Sequence, residues 1–144
     1  MNNEDYMSGY EAGYMAASTD NFQRRVGKWM NEAFSNAICN NRIERAMRFF
    51  EESTELCQSL GMTQEQAQKL IDYVFSRAIG DPHQEVGGVM VTLAALGNTI
   101  NHSISHCGET ELTRINQPEI LAKIRAKQVT KAVMGITPED LKDG

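Results

Sequence analysis

Two groups of acidic residues fall where helices would present them. Glu51, Glu52 and Glu55 lie in the run Phe49 to Leu56, and Glu85 opens a later apolar segment. In a helix, positions i and i+3 are about 60° apart in azimuth and about 4.5 Å apart in rise, so Glu52 and Glu55 aim at one region. Glu51 and Glu55, at i and i+4, do the same on the adjacent stripe. With Glu85 facing them from an antiparallel helix, three or four carboxylates would converge. Unit charges 4 Å apart repel by about 4 kcal/mol at an effective dielectric near 20, so such a cluster requires a cation or protons. Oxygen donors of this kind select Mg²⁺ or Mn²⁺ over zinc. The same residues also fit a plainer reading: Glu44, Arg45, Arg48, Glu51 and Glu55 share one polar arc, and a mixed-charge arc is ordinarily a solvated face. Glu52 stands apart from that arc, at its border with Phe49 and Leu56.

A cation held by carboxylates suits a phosphate ligand, and phosphate needs basic side chains as well. Arg114 to Lys131 is the most basic stretch, with Arg114, Lys123, Arg125, Lys127 and Lys131 against the single acid Glu119. Lys123 and Lys127 share a helix face and are candidate phosphate ligands together with Arg125, unless they simply solvate a helix surface. Trp29 and Phe49 are the aromatics available to stack a base, although both sit on apolar stripes where core packing explains them equally. His102 and His106 are four apart but lack an HExxH pattern, and no phosphate-binding glycine loop or GxSxG elbow is present.

The elements that must position these residues read as helices. Phe22, Val26, Trp29, Met30 and Phe34 define a first stripe, with Asp20 or Asn21 as its N-cap, and the asparagine-rich stretch Asn36 to Asn41 reads as a break. The next helix runs from about Arg42 to Leu60 and ends at Gly61, with an apolar arc nearly half its circumference wide, which calls for cover on more than one side. Thr63 and Gln66 form a capping-box pattern before Ala67, Leu70, Ile71, Val74, Phe75 and Ala78. Gly80 closes that helix. Asp81 and Pro82 then supply the N-cap and first-turn proline of another reaching about Ile100. A loop is expected around Gly108, and Pro118 starts a last helix through Lys131.

Composition agrees with this reading. The 144 residues are 41% hydrophobic, 23% charged and 7% aromatic, with three prolines. That describes one all-α domain, large enough to bury a core of its own. Acids outnumber bases 19 to 14, which argues against a nucleic-acid polymer as partner. Residues 1–20 carry four acids and no base, so they hold −4 of the net −5. They form an acidic arm, with Tyr6, Tyr10 and Tyr14 at helical spacing, ahead of a domain spanning 21–131 and a polar tail at 132–144. Three cysteines at unrelated spacings suggest neither a disulfide framework nor a zinc site. With no secretion signal and no membrane-length apolar run, the expected setting is the cytoplasm.

The carboxylate motifs resemble a known family. EESTE at Glu51 to Glu55 is similar to the E-E-x-x-E of the all-α, MazG-like nucleoside triphosphate pyrophosphohydrolases, and QEVGGVMVTLAAL at Gln84 to Leu96 resembles their second motif, E-x-x-D. The likeness runs from about Phe22 to Lys131 and is nearest to the short members common in phages and bacteria. It implies a bundle of about five to six helices completed by homo-oligomerisation as a dimer or tetramer. It also implies Mg²⁺ or Mn²⁺ as cofactor, and hydrolysis of a nucleoside triphosphate to monophosphate and pyrophosphate. By position, Glu52, Glu55 and Glu85 match the metal ligands and Glu51 the companion carboxylate. One position departs: Gly88 stands where the family has its Asp. Asp72, on the intervening helix, is the candidate substitute, although a solvated surface acid explains it too. The departure leaves a second expectation open, a nucleotide-binding protein that senses or sequesters its ligand with little or no turnover.

Overall fold

The structure, a computed structural model, describes residues 22–130. The acidic arm, the polar tail, Lys131 and the expected N-cap at Asp20 or Asn21 lie outside the described residues. Those described form seven helices and no strand: α1 (Phe22–Ala33), α2 (Asn36–Cys39), α3 (Arg42–Ser59), α4 (Gln64–Phe75), α5 (Pro82–Thr99), α6 (Ile104–Ile115) and α7 (Pro118–Thr130). None is long and apolar enough to cross a membrane.

Local chemistry sets most helix ends. Asn41 Oδ1 accepts from the Glu44 N–H at 2.9 Å at the start of α3, and Thr63 with Gln66 makes the full capping box of α4. Asp81 Oδ2 accepts from the Gln84 N–H at 3.0 Å ahead of α5, with Pro82 in the first turn. Both α3 and α5 end in Schellman closures. Gly61 sits at φ +95 while the Met62 N–H reaches Cys57 O at 3.1 Å. Asn101 takes the equivalent left-handed position, φ 57, while the His102 N–H reaches Gly97 O at 2.9 Å.

Three expectations about the elements are corrected. α4 ends at Phe75, with Ser76 as its C-cap, ahead of Ala78 and of Gly80. The asparagine-rich break contains a helix: Ser35 caps the single turn of α2. Gly108 lies inside α6 rather than in a loop. A Cβ there would stand 3.1 Å from the Phe22 ring, so this glycine serves the approach of α1 to α6 instead of a turn.

Packing concentrates at one end of the sequence order. α1 packs on α7, α6 on α7 and on α5, and α2 joins α1 to α3. Arg25 clasps Glu109 with both guanidinium nitrogens, one of them at 2.7 Å. Trp29 Nε1 donates to Ile115 O at 3.2 Å, and Arg125 Nε donates to Glu32 O at 3.1 Å. These bonds tie α1 to α6 and α7 around the buried Ala33 and Leu112. The expectation of a self-sufficient core is not met: among the described residues only those two apolar side chains are buried. The physical reason lies in α3, α4 and α5, whose apolar faces are left largely uncovered by the other described residues. Phe49, Phe50, Leu70, Val74 and Val86 are all more than half exposed.

Candidate functional site

α3 presents the candidate carboxylates on successive stripes, and its first two turns hold them in place. Glu44, expected on a solvated arc, is instead buried. Its carboxylate accepts from Arg45 Nε at 2.7 Å and pairs with Arg48 Nε at 3.3 Å. The Arg45 guanidinium also lies 4.4 Å from the centre of the Phe34 ring, which shields the cluster from the α1 side. Arg48 is shared: its Nη1 donates to Glu51. The helical repeat thus sets a relay from a buried acid through an arginine to the first residue of EESTE.

The three site carboxylates of α3 have different surroundings. Glu51 and Glu55 line a groove of about 320 Å³ between α3 and the start of α4, together with Phe50, Thr54, Gln58 and Gln64. The hydrogen-bonded carboxylate of Glu111, and more weakly the charge of Glu52 on α3, hold the Arg114 guanidinium in the last turn of α6 above its ordinary pKa. Reciprocally, the Arg114 hydrogen bonds, from Nε at 2.8 Å and Nη2 at 2.6 Å, hold the Glu111 carboxyl below the usual range. Arg114 is therefore a cation held within electrostatic reach of Glu52. It belongs to the basic stretch in the sequence but was not singled out as a site residue. The signal that would have found it is the Glu111–Arg114 pair at i, i+3, which is visible only once α6 is recognised as a helix.

The other candidates are placed separately. Glu85 is exposed in the first turn of α5, with its carboxylate folded back against Gly80, where a Cβ would collide with Oε1. α3 and α5 line a common groove near their C-terminal ends, where Leu96 joins Cys57, Leu60 and Leu70. Glu85 precedes Leu96 by 11 residues, about 16 Å of helix. Among the described residues, no three His, Cys, Asp or Glu side chains stand close enough to hold a metal ion. Asp72 accepts from Gln68 Nε2 at 3.0 Å on the surface of α4.

Arg125 has a structural task, since it donates to the carbonyl of Glu32 in the last turn of α1. Lys123 and Lys127 are exposed on the opposite side of α7, whose packing partners are α1 and α6 rather than α3. Trp29 is half-buried, edge-on to Phe34 at 5.4 Å and hydrogen-bonded through its indole N–H, whereas Phe49 is open to solvent.

The donor set chemistry can still be weighed. Glu52 and Glu55, one turn apart, offer carboxylate oxygens alone. That suits Mg²⁺, which takes one or two carboxylates together with substrate phosphates and waters.

What the fold and site define is an all-helical protein with a carboxylate-bearing central helix and an adjacent groove. Compared with protein-family models, curated proteins and solved structures, the chain matches none.

Proposed function

We propose that the protein is a Mg²⁺-dependent nucleotide pyrophosphohydrolase, working as a homo-oligomer with a MazG-like arrangement of helices. The observation that carries this reading is α3 itself. Glu52 and Glu55 are exposed at a separation of one helical turn, Glu55 lines a groove with Glu51, and Arg114 lies within electrostatic range of Glu52.

In this reading Glu52 and Glu55 would hold a divalent ion from α3, and Glu85 would add an oxygen from α5 where assembly brings it near; Mg²⁺ bound there would supply polarisation of the phosphate and a water of lowered pKa. Glu51, oriented by Arg48, positions the attacking water. That water adds to the α-phosphorus, the bond from the α-phosphorus to its bridging oxygen breaks, and pyrophosphate leaves. In this reading Arg114 would meet phosphate charge near Glu52, whereas Lys123 and Lys127, on the side of α7 away from its packing partners, would not take part within one chain.

The test is pyrophosphate release across a panel of nucleoside triphosphates with Mg²⁺ and with Mn²⁺. At least one nucleotide is expected to be turned over, and Glu52→Gln is expected to lower the rate by 100-fold or more, on the order of what one transition-state contact supplies. No release from any nucleotide would refute the enzymatic reading.

Gly88 favours a second reading. It leaves α5 with one carboxylate, and a Cβ at that position would meet nothing within 4 Å. A protein that binds nucleotide without cleaving it would then show saturable, metal-dependent heat of binding with no pyrophosphate.

A further inference from the structure

We propose that the groove between α3 and the start of α4 is a base subsite for the nucleotide, and that it takes a base carrying an exocyclic amine, adenine or cytosine, ahead of hypoxanthine or uracil. Only the placing of phosphates at its far end rests on the preceding reading. The lining comes from one line of α3 and the turn that follows. At about 100° per residue, Glu51 and Gln58 fall on the same side of α3, with Thr54 and Glu55 flanking the line between them, and Gln64 joins from the first residue of α4. Local bonds fix that corner. The Gly61 N–H donates to Gln58 O at 3.0 Å, the Met62 N–H donates to Cys57 O at 3.1 Å, and the Thr63–Gln66 box starts α4.

Phe50 supplies a ring. It is this residue, 56% exposed, rather than its neighbour Phe49, that lines the groove. Aromatic side chains stack bases of every kind, so the ring holds a base without choosing it. At about 320 Å³ the groove stands at the small end of ligand sites, roughly 300–1,000 Å³, which suits a base with its sugar.

Hydrogen-bond capacity decides the class of base. The amides of Gln58 and Gln64 both donate and accept, so they can turn to suit either kind of edge. The groups beside them cannot. As carboxylates Glu51 and Glu55 only accept, and the Thr54 hydroxyl spends its proton on Phe50 O at 2.6 Å, which leaves its oxygen to accept as well. An exocyclic amine meets such acceptors with protons to give, as the cytosine amine does with a carboxylate, while an amide takes the adenine amine together with the ring nitrogen beside it. Hypoxanthine and uracil place a carbonyl oxygen where the amine would be, and that oxygen meets acceptors and negative charge. Glu52 precedes Gln58 by six residues, about 9 Å of helix. A base at the Gln58 end therefore directs its phosphates back along α3, toward Glu52 and Arg114.

The experiment titrates the full chain, without metal, with adenosine, inosine, cytidine and uridine, followed by the shifts of its backbone amide NMR signals. These probes carry no phosphate, so the groove is read apart from the metal site. Adenosine and cytidine are expected to move signals within residues 50–67 and to bind roughly fivefold or more tightly than inosine and uridine, their oxo counterparts. Glu55→Gln, which puts a donor among the acceptors, is expected to erase that preference, and Phe50→Ala to weaken all four nucleosides roughly fivefold or more. Equal binding within each amino and oxo pair of the wild type would overturn the proposal. So would shifts confined to residues outside the groove, or no shift from any nucleoside at millimolar concentration. An amine preference without pyrophosphate release from any triphosphate sinks the enzyme and leaves the subsite, whereas release by a chain that binds the paired nucleosides equally does the reverse.

Discussion

Replacing Glu44 by Gln removes one negative charge from between two arginines while keeping the shape of the side chain. The side chain of Glu44 is 8% exposed, and those of Arg48 and Arg45 are 19% and 23%. Breaking a buried pair by removing one partner costs about 3–5 kcal/mol, whereas an exposed pair contributes about 0.2–1 kcal/mol. This cluster lies nearer the buried limit. The expected cost is reduced because Arg48 keeps Glu51 and Arg45 keeps the Phe34 ring. Glu44 also stands in the first turn of α3, where the helix dipole favours a carboxylate by about 0.3–1 kcal/mol. Together these place the loss at about 2–3 kcal/mol, or about 6–9 °C in Tm at this chain length. The assay is urea unfolding followed by circular dichroism, at one protein concentration so that assembly does not shift the midpoint. Glu51→Gln is the control: its side chain is 42% exposed, so its loss is expected to stay below about 1 kcal/mol. Equal, small losses for the two variants would refute the claim that a buried charge cluster anchors the N-terminal half of the candidate site.

Other consequences follow from single contacts. Gly97→Ala is expected to destabilise by about 1–3 kcal/mol despite alanine's better helix propensity, because its Cβ would lie 2.7 Å from Ile104 Cγ2 and 3.0 Å from His102 O. The His102 N–H bond that closes the helix holds that carbonyl's residue in place, and a neutral or raised unfolding midpoint would contradict this. A pH effect comes from Glu109, whose carboxyl the Arg25 hydrogen bonds hold below its ordinary value of 4.5. A carboxylate depressed in the folded state contributes stability above its unfolded pKa and loses it as pH falls through the folded value. Glu109→Gln is therefore expected to unfold earlier than wild type at pH 7 and to match it at a pH below the lowered value of the folded carboxyl. A gap that is the same at both values would mean that the Arg25 pair contributes nothing through charge.

What the sequence made legible, and what it did not, divides by the range of the interactions involved. The starts of α3, α4 and α5 and the close of α3 depend on residues within one turn of each other, namely Asn41, the Thr63–Gln66 box, Asp81 with Pro82, and Gly61. Local signals of that kind survive any tertiary arrangement. α6 was missed because its marker residue, Gly108, is a glycine for reasons that lie in α1, at the Phe22 ring. Glu44 was misplaced on the polar arc for a similar reason: angular position on α3 says which residues share a side, but the Phe34 ring that helps close that side arrives from the end of α1. The carboxylates of EESTE were legible as a helix-borne set, and α3 does present them so. Whether Glu85 meets them depends on how α5 is covered, and no described residue stands within 4 Å of a Cβ at Gly87 or Gly88 on its outer face.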